Sequence, residues 1–170
     1  GAGKTPATAL WPLLRGSLEL LAGAFLIWLS LAWGLVKSLN NRLLAMLHIG
    51  FSWLGLAMLL GGVAQLQGWL QSTTVLGLAQ LHALTMGCLA SLLLAMVTRV
   101  SCGHSGRALV ANQLVWSLFW LLQVAVLLRI FGAAQTPWAG WLLLGASVLL
   151  LAVMGLWSFR LANLSVRLRT

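Results

Sequence analysis

Acidic residues are almost missing from this chain, whose 170 residues include no aspartate and a single glutamate, Glu19. Paired-carboxylate hydrolysis, Ser-His-Asp acyl transfer and two-metal carboxylate chemistry lose the residues they depend on. Charge of either sign is scarce. Only 6% of residues are charged against 61% hydrophobic, too few to coat a soluble globule of this size. The solvent for most of the surface is therefore lipid. Strand-like alternation is also missing, which removes a β-barrel and leaves helices as the spanning elements.

What remains is five long apolar runs, at residues 16–36, 43–66, 75–98, 109–128 and 138–159. Each is long enough to cross ~30 Å of hydrocarbon at ~1.5 Å per residue. The chain reads as an all-α polytopic transmembrane helical bundle, a single transmembrane domain over residues 1–170. The connections at 37–42, 67–74, 99–108 and 129–137 are short, which makes neighbouring spans antiparallel hairpins.

The formal charge of +9 comes from ten Lys and Arg set singly or in small groups at the ends of apolar runs. They form no continuous basic face, so no nucleic-acid partner is expected. Lys37, Arg42, Arg99, Arg107, Arg160, Arg167 and Arg169 gather on one side, and Lys4, Arg15 and Arg129 on the other. The positive-inside bias makes the richer side cytoplasmic, with the N-terminus outside and the C-terminus inside. Trp11, Trp69, Trp138 and Trp141 fall near the outer ends of spans, as interface anchors do. A disulfide between Cys88, on a span, and Cys102, in a cytoplasmic connection, is not expected. Gly3-Lys4-Thr5 is not a P-loop, because no strand leads into it, and the sequon Asn163-Leu164-Ser165 lies on the cytoplasmic side.

Histidine carries what chemistry is left. His82 lies about seven residues into the third span, ~10 Å deep, with Met86 four residues on and Thr85 beside it. Imidazole and thioether on one face suit copper, and imidazole alone suits haem iron; the plain alternative is a hydrogen-bonded histidine with Met86 as packing. His48 lies near the cytoplasmic end of the second span on a face shared with Ser52, Gly55 and Gly62, where a helix or a flat cofactor could approach closely. The connection from Arg99 to Arg107 is the densest polar segment, with Cys102 and His104 as soft donors and two arginines able to clamp carboxylates or phosphates. Lipid-headgroup contact is the plain reading of that segment. Glu19 shares a face with Gly16, Gly23, Ser30 and Gly34 at a depth from which it could pair with His82, and Asn112 shares one with Trp116, Phe119 and Gln123.

His82-Ala83-Leu84-Thr85-Met86-Gly87, followed by an apolar run and Met96-Val97-Thr98-Arg99-Val100-Ser101-Cys102-Gly103-His104-Ser105-Gly106-Arg107, resembles the signature of NnrS family membrane proteins. Leu47-His48-Ile49-Gly50-Phe51-Ser52-Trp53 is similar to that family's histidine-bearing span. Cys102 stands where an apolar residue is expected, which argues against a cysteine ligand. The resemblance implies a protein of the bacterial inner membrane that holds haem b and copper, binds nitric oxide or relieves nitrosative stress, and is linked to denitrification. It also implies that these five spans are the C-terminal portion of a longer chain, whose N-terminal spans would be partners. With that resemblance, His48, His82, Arg99, His104 and Arg107 are the expected cofactor-binding residues, and His48, His82, Met86 and His104 the expected metal ligands. By their depths in the spans, an inner site with His48 and His104 would lie apart from an outer one with His82 and Met86, to which Glu19 is a further candidate. Whether nitric oxide is turned over is not decided by any residue here. The rival reading is a membrane transporter or helical assembly subunit without cofactor, its histidines and arginines lining a pathway.

Overall fold

In the computed structural model, residues 6–71, 76–104, 111–134 and 137–167 are described. All regular elements among them are helical. The order is α1 (Pro6–Ala32), α2 (Leu35–Ser38), α3 (Arg42–Gln71), α4 (Ala79–His82), a π-helical segment (Ala83–Ala90), α5 (Ser91–His104), α6 (Gln113–Ala133) and α7 (Ala139–Arg167). Helix α4, the π-helical segment and α5 follow one another without a break and form a single rod, the third span. Five helical stretches are long and apolar enough to cross a membrane: Leu10–Ala32, Arg42–Gln71, Ala79–Ser101, Gln113–Ala133 and Ala139–Asn163.

Their ends differ from the hydropathy bounds for local reasons. Helix α1 stops at Ala32 because Gly34 takes φ 92°, a left-handed conformation open to glycine. Helix α6 starts at Gln113 because the Asn112 side chain accepts a hydrogen bond from the Val115 N–H at 3.1 Å. The Asn112 side chain is thus a helix cap, bound to its own chain three residues on. The polar segment expected as a cytoplasmic loop from residue 99 is helical through His104. Lys4, Arg107, Arg169 and Gly3-Lys4-Thr5 lie outside the described residues, as do the side chains of Cys102, His104 and Arg167.

Small residues set how closely the helices approach. Gly16, Gly23 and Ser30 recur every seven residues on α1 and meet Gly62, Gly55 and Ser52 on antiparallel α3. A Cβ on Gly23 would stand 2.8 Å from the Gly55 carbonyl oxygen, so backbone meets backbone there. At the far end of the seam the Ser30 and Ser52 hydroxyls lie 2.8 Å apart. Ser52 commits its proton to the His48 carbonyl at 2.8 Å, which leaves Ser30 as the donor between them.

The core lies between α3, the third rod and α6. Trp53 donates its indole N–H to Gln123 Oε1 at 2.6 Å, and Gln123 Nε2 donates to Ser91 Oγ at 2.9 Å and to the Phe119 carbonyl at 3.3 Å. Three spans are tied by one amide whose oxygen and nitrogen both have partners, as burial in an apolar interior requires. Gly87, in the π-helical segment, lies against the Trp53 ring. The terminal spans are less enclosed, and Leu18, Leu21, Phe25, Val148, Leu151 and Phe159 present bare apolar surface suited to lipid.

Candidate functional site

His48 is half-buried on α3, one turn beyond Leu44, and its Nδ1 lies 3.1 Å from the Leu44 carbonyl oxygen. That carbonyl can only accept, so Nδ1 carries the proton and Nε2 keeps a free lone pair. Metal-bound histidines are held in this way, by a hydrogen bond from the ring nitrogen that does not face the metal. On the same end of the bundle, Asn41, Leu43, Leu44, Leu47 and Arg99 line an open cavity of about 200 Å³. Arg99 is exposed and brings a guanidinium to that rim, while Leu44 and Leu47 of the His48 helix form its apolar wall.

His82 closes α4 at the point where i→i+5 hydrogen bonding begins, a irregularity frequent at functional sites. Met86 lies within the π-helical segment and packs against the apolar core. The Thr85 hydroxyl is taken up by the Leu81 carbonyl at 2.7 Å. Among the described residues no three of His, Cys, Asp and Glu come together. Cys88 is buried and unpaired.

Neighbour pairs fix the levels of the histidines. Gly50 meets Ser91 and Leu92, Gly87 meets Trp53, and Gly61 meets Gln80, so α3 and the third rod are antiparallel and His82 is level with about Leu59. His48 is eleven residues from Leu59, ~16 Å along the helix. By the same pairs His48 is level with about Leu93, and the backbone of His104 lies a further ~16 Å along α5. The two intramembrane histidines belong to different depths, and the His48 and His104 backbones are no closer in level than His48 and His82.

Glu19 has another partner than the sequence pointed to. Its Oε1 accepts from Arg15 Nε at 2.9 Å, and its Oε2 lies buried at the junction of α1, α3 and α4, where Gly61 leaves room for both Glu19 and the Gln80 side chain. The Arg15 spacing of four residues carried that signal; the Gln80 contact carried none, since nothing local marks which face of α4 turns to α1. Arg129 was counted as a membrane flank but stands one turn inside α6, where its Nη1 donates to Ser147 Oγ on α7 at 2.9 Å.

No curated protein and no solved structure matches this chain. The NnrS protein family matches it over residues 2–169, nearly the whole length, including the flanking spans that the resemblance in the histidine-bearing segments did not reach. With five membrane-length helices beneath that match, the chain belongs to the NnrS family of membrane proteins, whose setting is the nitric-oxide response.

Proposed function

We propose that this is a haem b- and copper-holding protein of the bacterial inner membrane that binds nitric oxide or relieves nitrosative stress during denitrification. The observation that carries it is the His48 ring, whose Nδ1 is tied to the Leu44 carbonyl and whose Nε2 is left for a ligand. His48 would hold iron or copper from α3, with Arg99 at the neighbouring cavity and Arg107 and His104 beyond it as further cofactor-binding groups. The two guanidinia suit haem propionates, which they can grip by charge-assisted hydrogen bonds. His82, with Met86, would hold the second centre at the other depth. A haem held by these residues would supply a metal site for the gas. The protein supplies the imidazoles, a low dielectric and a lipid-side route for an apolar diatomic.

Purified protein expressed with iron and copper supplied is expected to show a Soret band and stoichiometric copper. A preparation with neither would sink this reading in favour of a transporter or helical assembly subunit.

The same reading places the Lys37, Arg42, Arg99 and Arg160 end in the cytoplasm. Single cysteines introduced in the connection after Gln71 should react with impermeant reagents from outside, and those in the connection after His104 only from inside. Reversed accessibility would invert the assignment of inner and outer sites.

A further inference from the structure

Arg129 is a cation without a counterion inside the bundle. The chain's one side-chain carboxylate, Glu19, is bound to Arg15, so no acid is left to pair with the guanidinium. Its Nη1 is satisfied by Ser147 Oγ, which in turn donates to the Leu143 carbonyl at 2.8 Å. Its Nε is buried and has no hydrogen-bond partner among the described residues. A buried charged donor left unmade costs more than a neutral one, and such an orphan marks a missing ion or water.

The surroundings are shaped by three helices. Gly77 lies against the Ala133 carbonyl, and Gln123 reaches Ser91, so α6 runs antiparallel to the third rod and Arg129 is level with His82. Gly132 against Leu143, and Arg129 on Ser147, set α7 at the same level. Helix α4 packs against α6, so the imidazole and the guanidinium lie at the same end of the bundle on neighbouring helices. One end of the bundle thus brings a planar fork with a free N–H, beside an imidazole, to a depth about one turn inside the helix end.

We propose that Arg129, with His82 beside it, binds a small planar monovalent oxyanion of carboxylate or nitrite shape between α4, α6 and α7. Guanidinium geometry favours planar, two-oxygen anions over spherical ones. Burial of Nε favours a small free anion over a lipid phosphate, which would engage the outward nitrogens only. The anion is held by the fixed positive charge of Arg129 and by no metal; His82 is shared with the outer centre of the haem and copper reading, and metal-free protein separates the two.

The test uses metal-free protein in a phosphate-free maltoside detergent, titrated with sodium formate or sodium nitrite against sodium methanesulfonate at constant ionic strength. Formate ¹³C line broadening and the melting midpoint both report binding. Saturation at millimolar concentration is expected, weakened at least about tenfold in Arg129→Gln, the worth of one charge-assisted hydrogen bond, and unchanged in Arg160→Gln at the opposite end. Should Arg129→Gln not fold, Arg129→Lys keeps the charge but loses the fork, and weakened formate binding is expected there too. Equal titrations in wild type and variant, or no saturable binding, would overturn the proposal. So would stabilisation by added phospholipid alone, which would make Arg129 a headgroup anchor.

Discussion

Alanine at His48 is expected to remove one metal centre from the purified protein and spare the other, and alanine at His82 to do the reverse. Loss of a direct ligand should lower occupancy of the affected centre by at least about tenfold, the lower end of what even indirect ligand partners contribute. Absorption for haem and elemental analysis for copper read the two centres separately. The expectation rests on the antiparallel register: His82 is level with about Leu59, ~16 Å along α3 from His48. Two imidazoles that held one metal together would have to lie much closer in level than that. If both variants lose the same centre and retain the other, a single shared site replaces the two-site arrangement.

Valine at Gly87 is expected to give a large loss of stability. A Cβ at Gly87 would stand 2.6 to 2.8 Å from atoms of the Trp53 ring. The ring cannot easily withdraw, because its N–H is held by Gln123, which is itself held by Ser91 and Phe119. Overpacking of this kind costs about 1 to 3 kcal/mol, and an intramembrane hydrogen bond lost with it adds about 0.6 to 1.7 kcal/mol. Gly155→Ala is the control, since a Cβ there meets nothing within 4 Å. Denaturant unfolding in detergent should separate the two by about 2 to 5 kcal/mol. Coincident midpoints would mean that the indole has room the contacts deny it.

Hydropathy was enough to count the spans, because a bilayer demands long apolar helices whatever packs against them. It placed their ends poorly, because caps and left-handed turns at Asn112 and Gly34 are single-residue events that an averaged window does not feel. The repeat of Gly16, Gly23 and Ser30 was legible as a packing face, and it is the face α1 turns to α3. Gly34, grouped with them by spacing, serves the turn instead. The π-helical segment left no trace in Ala83–Ala90, whose side chains suit either kind of helix. Of the candidate site, His48 was legible as a residue but its tether to Leu44 was not, since that depends on a rotamer. Arg129 was misread because its distance from the run's apolar end said nothing of the partner on α7.

Among the described residues, the up-and-down path of the spans gathers Lys37, Arg42, Arg99 and Arg160 at one end, and leaves Arg129 as the uncompensated cation at the other, Arg15 being neutralised by Glu19. The bundle is therefore an electrical dipole lying along the membrane normal. For these groups alone, four cations at one end against one at the other, turning the bundle over would carry a net three positive charges through the transmembrane potential, about 7 kcal/mol per 100 mV at ~2.3 kcal/mol per charge. An energised membrane, negative inside, would favour the proposed placement of the cation-rich end on its inner face by a margin comparable to the stability of a whole domain. An anion seated on Arg129 would widen that margin by one charge more.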